Sequence, residues 1–405
     1  MKRGLTVEHS LIFHIGAHRT GTSAVQHFLH DNIPALKRQG VLYPFRTRRH
    51  VHLINQLFSG ARRPQQVAAD LMRRLQPGRQ PSDRPREQTP GRPPALPQGP
   101  RSPGPRSDGR SDQPLGQFSD PVLHSVVLSD EDICMRQDIS LLGEFRSEFN
   151  VKVVFTLRRQ DLWLESWYLQ NIKWQWNPRL SHCTLPEFLE MREEFHWIHY
   201  DRYVHHLEKV FGRENIILNL YEPGQMPAGG AVQMFCDSIG LRPGADFVQP
   251  TRVNPSFSPE VSEFMRCLPL DAAPEKYRAM LTAACAEIDA RRPGGGQGRG
   301  PGGTLLIAPE QRAAIMAHYA PGNRALAQRY FGRDQLFLDP LPDAAAPLAR
   351  MALPQDSQQL MAEFVAPLLQ AMIVRRRQEM GRKKAKRLAR EKAAREKSTG
   401  EAGAG

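Results

Sequence analysis

The sequence predicts an α/β protein: a three-layer parallel sheet with helices on both faces, built around a P-loop-like nucleotide-binding core. Two observations carry that prediction. Short apolar runs rich in β-branched residues, beginning at Leu11, Val122, Val151 and Ile216, alternate with stretches of helical periodicity. Strands separated by helices imply parallel pairing with both sheet faces covered. The second observation is the segment LIFHIGAHRTGTSAVQHFLHDN, Leu11 to Asn32, which passes from an apolar strand through a Gly-rich loop at Gly16–Thr22 into a helix. In folds of this kind ligands sit at the carboxyl ends of the strands, which is where Arg19 and Arg158 emerge.

Taken in order, the pattern gives a strand at Leu11–Ile15, a helix at Ser23–His30, a helix at Val67–Leu75 and a strand at Leu123–Leu128. A helix near Leu141–Phe149, a strand at Val151–Leu157 and a helix at Leu162–Lys173 follow. The last pair is a helix at Tyr200–Phe211, closed by Gly212, and a strand at Asn215–Leu220. Between these elements, Gln76 to about Gln117 is rich in Pro, Gly, Arg, Ser and Gln and almost bare of apolar residues. Such a composition cannot bury enough surface to order itself. Arg291 to Gly303 reads as a second, shorter flexible loop. The expected organisation is therefore a first part of the nucleotide-binding domain at 1–75 and a disordered insertion at 76–117. The remainder of the domain is expected at 118–340 with its loop at 291–303, then a helical extension at 341–374 and a basic tail at 375–405.

The net charge of +13 is concentrated in that tail: Arg375 to Lys397 holds 12 Lys/Arg against 3 Asp/Glu, a surplus of 9. Leu388 is its only large aliphatic residue, so the run lacks the apolar face needed to embed in a bilayer. It reads as a solvated, helix-compatible tail capable of weak polyanion contact, with no nucleic-acid-reading module beside it. No N-terminal apolar h-region and no run of 18 apolar residues is present, so neither a signal peptide nor a membrane span is expected. The five cysteines are scattered without CxxC or His/Cys ligand spacing, which argues against disulfides and structural zinc and favours a cytoplasmic location.

The loop carries the chemistry. Gly16 and Gly21 have the spacing of a phosphate-cradling loop, offering backbone N–H groups and a helix N-terminus to a phosphate. Thr22 stands where nucleoside triphosphatases place the lysine that meets the β/γ-phosphates, and Ser23 follows. A cation is present upstream instead, at Arg19. At the end of the strand beginning at Val151, Arg158 is followed eight residues later by Ser166 on the next helix. A guanidinium can grip a phosphate through two N–H groups, and a hydroxyl one turn away can complete the site.

Arg19-Thr20-Gly21-Thr22-Ser23, with Gln26 on the helix, resembles the 5′-phosphosulfate loop of bacterial sulfotransferases that use 3′-phosphoadenosine 5′-phosphosulfate. Arg158 and Ser166, with Trp167-Tyr168 directly after, resemble the family's 3′-phosphate site. Ser129-Asp130-Glu131, His199-Tyr200-Asp201, Val253-Asn254-Pro255-Ser256 and Gly322-Asn323-Arg324 resemble further stretches of the family in the same order. The resemblance implies that Thr20, Gly21, Thr22 and Ser23 hold the 5′-phosphate and that Arg158 and Ser166 hold the 3′-phosphate. It implies a metal-independent sulfuryl transfer to a hydroxyl-bearing acceptor: a saccharide, lipid or small molecule. Arg19 takes the position of the family's lysine, aimed at the bridging oxygen where charge develops. Arginine keeps the charge but cannot donate a proton at neutral pH.

Related eukaryotic glycan sulfotransferases carry a Glu six residues beyond the loop glycine. Here His27 stands at that position, with a near-neutral pKa suited to a base. His50 and His52 in RRHVH are the other candidates, whereas His14 within the strand suits a core role. Trp174-Gln175-Trp176 and Phe195-His196-Trp197 could stack on a sugar face or simply pack the core. Two other functions share these features. A P-loop kinase-like phosphotransferase would use VVLSDED, Val126 to Asp132, as its acidic strand end. A non-catalytic nucleotide-binding protein would use the basic tail for interaction.

Overall fold

The structure, a computed structural model, describes residues 9–76, 122–250, 257–292 and 305–402. The expected insertion after Gln76, most of the loop at 291–303 and Val253–Ser256 lie outside the described residues.

Among the described residues, five strands form one all-parallel sheet: β1 (Ser10–His14), β2 (Val41–Leu42), β3 (Ser125–Ser129), β4 (Asn150–Leu157) and β5 (Ile216–Leu220). Their order across the sheet is β2-β3-β1-β4-β5. In register, Phe13 of β1 lies between Leu128 of β3 and Val153 of β4. The chain leaves β1 with one neighbour wound to each side, so the order reverses at the central strand. That reversal opens a crevice at the carboxyl end of β1.

The helices are α1 (Thr22–Asp31), α2 (Ile33–Arg38), α3 (Val51–Phe58), α4 (Pro64–Leu75), α5 (Gln160–Trp174), α6 (Pro178–Ser181) and α7 (Leu185–Glu190). They continue with α8 (Tyr200–Phe211), α9 (Gly230–Ile239), α10 (Pro259–Cys267), α11 (Glu275–Arg291), α12 (Pro309–Phe331), α13 (Ser357–Leu360) and α14 (Ala366–Ala402). Alternation along each strand splits the core into two layers. Ile12, Val127 and Val154 face one side, against Val25, Phe28 and Leu29 of α1, Leu36 of α2 and Phe235 of α9. Leu11, Phe13, Val126, Leu128, Val153 and Phe155 face the other, against Ile54 of α3, Leu71 of α4, Trp163 of α5 and Leu207 of α8. The expected three-layer α/β architecture is therefore the observed one.

Several elements differ from their sequence reading. α4 starts at Pro64 rather than Val67, because proline's fixed φ and missing N–H suit a first helical turn. The helix expected near Leu141–Phe149 is a 3-10 segment, Ser140–Ser147, rather than an α-helix. β2, α2, α3 and α9 are short or weakly periodic and were not anticipated. Gly322-Asn323-Arg324 lies inside α12, directly after an internal proline, Pro321. A Cβ at residue 322 would fall 2.6 Å from the Asp201 carboxylate, so glycine is what lets α12 approach α8. Asn323 exchanges two amide hydrogen bonds with Gln160, at 2.9 and 3.1 Å.

α5 is clamped by buried charge. Arg312 is fully buried and donates to Asp161 at 2.8 Å, to Glu165, and to the Ile307 carbonyl at 3.0 Å. Arg159 closes on the other side of Asp161 at 2.8 Å and donates to the Asp339 and Pro340 carbonyls. The basic stretch beginning at Arg375 continues α14 without a break, and ion pairs Arg375–Glu287 (2.6 Å) and Lys276–Glu379 (2.5 Å) tie its start to α11. Among the described residues no helix is long and apolar enough to cross a membrane.

Candidate functional site

The crevice is built from the loop after β1, the start of α1, the end of β4 and one face of α5. Gly21 caps α1 with φ +81°, a left-handed conformation that glycine adopts without a Cβ penalty. A Cβ there would also sit 2.4 Å from the Ala231 Cβ and 3.1 Å from the Tyr221 ring. The Gly21 carbonyl accepts from the N–H groups of Ala24 and Val25 at 3.0 and 3.3 Å. The N–H groups of Thr22 and Ser23, in the first turn, have no carbonyl of their own helix to meet. Thr20 turns its hydroxyl back to the Ala17 carbonyl and stiffens the loop. Thr22 is buried and Ser23 exposed at the mouth.

Arg19 also has positive φ, 69°, an unusual state for a residue with a side chain. Its Nε donates to the Ser166 hydroxyl at 2.6 Å and its Nη1 to Gln170 Oε1 at 2.9 Å. Arg158 donates from Nη1 to the Arg19 carbonyl at 2.8 Å and lies over the Tyr221 ring, 5.5 Å from its centroid. Tyr200 holds the Arg158 backbone from both sides, accepting from its N–H at 3.1 Å and donating to its carbonyl. Arg19, Thr20, Gly21, Thr22, Ser23, Arg158 and Ser166 are thus drawn into one crevice from positions some 140 residues apart.

Burial lowers the pKa of both arginines, Arg19 to about 10, with the positive charge of Arg158 acting in the same direction. Arg19 nonetheless stays protonated at neutral pH. Lys173 joins this cationic group. Burial, then the charge of Arg19, brings its pKa down to about 8. The sequence signal was available: Ser166, Gln170 and Lys173 are spaced i, i+4, i+7 and line one face of α5.

The histidine candidates separate in space. His50 is buried, accepting from the Ser129 N–H at Nδ1 (3.0 Å) while Nε2 donates to the Pro44 carbonyl (2.7 Å). Both ring nitrogens serve the fold. His14 is likewise buried, with Nδ1 2.8 Å from the Ser129 hydroxyl. His52 lies on the exposed face of α3 beside Gln56. His27 is half-buried on α1, and burial together with the charge of Arg48 lowers its pKa.

Sequence reasoning named the acidic strand end but missed the polar cluster that Asp130 and Asp132 form with His18 and Arg49 beside the loop. His18 Nε2 lies 3.1 Å from Asp132 Oδ1, its ring packs on Trp167, and its carbonyl accepts from Trp163 Nε1 at 2.7 Å. Arg49 binds Asp130 and, at 2.7 Å, Asp132. Burial raises the Asp130 pKa to about 6 despite that partner. Burial works the same way on Asp132, but the hydrogen bond from His18 and the charge of Arg49 bring it down to about 2. Gln26 of α1 donates to Glu131, which links the helix to this cluster. Asp130 and Asp132 make a D-x-D triplet, a pattern that can serve metal-bound nucleotides, but here Arg49 engages both carboxylates.

Of the two aromatic stretches, Phe195 and Trp197 are core residues. Trp174 and Trp176 stack in parallel, 5.8 Å between centroids, with Trp176 more than half exposed.

No family model matches the chain. It is 26% identical over 209 residues to an uncharacterized protein of Archaeoglobus fulgidus, a match covering 50% of this chain and 52% of the relative. The chain thus spans about half the length of that curated relative. Among solved structures it is similar to a sulfotransferase from Alicyclobacillus acidocaldarius, at 15% identity and a TM-score of 0.30, covering 60% of this chain and 86% of that one.

Proposed function

We propose that this protein is a sulfotransferase that moves a sulfuryl group from 3′-phosphoadenosine 5′-phosphosulfate to an acceptor hydroxyl. The observation that carries the reading is the junction of two phosphate-binding elements, Arg19 on Ser166 and Arg158 on the Arg19 carbonyl, beside a helix N-terminus without a Walker lysine. In this reading Thr20, Gly21, Thr22 and Ser23 hold the 5′-phosphate and Arg158 with Ser166 holds the 3′-phosphate. The acceptor oxygen bonds to sulfur as the bond from sulfur to the bridging oxygen breaks, and the 5′-phosphate leaves with the electron pair. Arg19, with Lys173 beside it, stabilises that developing charge. The acceptor proton passes to a base. His27 is favoured over His52 because it stands on α1, the helix that leaves the loop, where burial and the charge of Arg48 lower its pKa, whereas His52 lies on the exposed face of α3. The Trp174–Trp176 pair suits the apolar face of a saccharide acceptor. The basic end of α14 offers weak polyanion contact.

The test is calorimetry and thermal shift with 3′,5′-adenosine bisphosphate beside ATP–Mg. Metal-free stabilisation by the bisphosphate, lost in Arg158→Ala, is expected. Stabilisation by ATP–Mg alone would move the protein to the kinase class. Bisphosphate binding without turnover of any hydroxyl acceptor would leave a nucleotide-binding protein.

A further inference from the structure

We propose that Glu193, His199 and His318 form a divalent-metal site suited to Zn2+. The three come from separate elements: the 3-10 turn Met191–Glu194, the residue capping the N-terminus of α8, and the middle of α12. Their donor atoms lie within 4.8 Å of one another. His199 Nε2 is 3.3 Å from one Glu193 oxygen and His318 Nε2 is 3.1 Å from the other. Zinc bonds near 2.0–2.1 Å in a tetrahedron put neighbouring ligand atoms about 3.3 Å apart, so the carboxylate already stands at ligand spacing from both imidazoles.

The surroundings fit a three-ligand site with an open position. His199 is buried and held against Tyr319 (centroids 5.1 Å apart), while His318 and Glu193 are exposed. Two imidazoles and a carboxylate are a borderline-soft N/O set, and the solvent side leaves room for water as fourth ligand. Arg192, 3.5 Å from Glu193, and the Asp201 carboxylate against Gly322 flank the site. As an exposed ion-pair cluster these groups would add little to stability. As a metal clamp they join α8 to α12 next to Tyr200, the residue that fixes the Arg158 backbone. Cysteine and histidine spacing in the sequence gave no warning of zinc, because the ligands are brought together only by packing.

The proposal is independent of the transferase reading, and its test needs no substrate. The full-length protein, stripped with EDTA, is titrated with CoCl2 and then ZnCl2. One equivalent of cobalt should give visible d–d bands without a sulfur-to-metal charge-transfer band, and zinc should displace it and raise the melting temperature. Glu193→Gln and His318→Ala, both at exposed positions, should each weaken zinc binding at least about tenfold, the effect that losing even an outer-shell partner can have. Both should keep the metal-free melting temperature. Unchanged zinc affinity in both variants, no stoichiometric binding at micromolar zinc, or a thiolate charge-transfer band assigning the metal to a cysteine such as Cys267 would each overturn the site.

Discussion

Acidification should unfold this protein through two histidines at the base of the crevice. His14 and His50 are buried on either side of Ser129, and burial lowers the pKa of each from 6.5 to about 4. For His50 the cost of protonation is visible in the bonding. Nε2–H already donates to Pro44, so a proton on Nδ1 would meet the Ser129 N–H donor head on. The unfolded chain takes up a proton on each ring below pH 6.5, and the native state does so only near pH 4. The stability these groups lend is therefore fully present above pH 6.5 and is lost as pH falls toward 4. At about 1.4 kcal/mol per pH unit, each histidine costs about 2 kcal/mol at pH 5 and about 3 kcal/mol once the native state also titrates. Two such losses are a large part of an ordinary folding free energy of about 5–15 kcal/mol. The assay is urea unfolding from pH 7.5 to 4.5 for the native sequence and for His50→Gln, whose amide can accept and donate but does not titrate. The variant should start less stable at pH 7.5 and then lose about 2–3 kcal/mol less on acidification. Parallel stability curves, or an NMR titration of His50 with a midpoint near 6.5, would refute the reasoning.

Three further outcomes follow from the same geometry. Gly21→Ala forces an L-residue into φ +81° and drives a Cβ to 2.4 Å from Ala231; urea unfolding should show a loss of at least about 2 kcal/mol, with nucleotide binding weakened, and a native-like variant would mean that the loop re-forms without glycine. Arg312→Met removes the buried guanidinium that meets both Asp161 and Glu165 while the two carboxylates stay buried, so the substitution should destabilise the fold by about 3 kcal/mol or more; a loss below about 1 kcal/mol would show that the cluster contributes little. If Lys173 acts in its charged form, turnover should decline as pH rises through about 8, and Lys173→Arg should move that decline to higher pH. An alkaline limb unaltered in the variant would remove Lys173 from the reaction.

Much of the fold was legible because it is local. The β1-loop-α1 unit shows itself as an apolar run, a glycine pair and a helix start within some 20 residues, and β4 with α5 repeats the apolar run and the helix start without the glycines. β2 escaped notice because two residues carry no period, and the 3-10 segment at Ser140–Ser147 because its apolar residues are spaced like those of an α-helix. The loop residues and Arg158 could be named as candidates from sequence, since the proposed phosphate binding would demand particular residue types at fixed local spacing. Lys173 was just as local but was hidden by a hydrophobic helix in which one lysine reads as a solvent-facing end.

By itself, then, the sequence determined the alternation of strands and helices, the loop's composition and the concentration of positive charge after Arg375. Each depends on residues within a few turns of one another, so pattern is enough. Only the tertiary structure decided which groups meet: Arg19 with Ser166 across 147 positions, Arg312 with Asp161 across 151, and His318 with Glu193. It also decided which histidines are spent on the fold, because a ring's protonation and partners depend on burial. Burial is a property of the packed chain, set by residues far away in sequence.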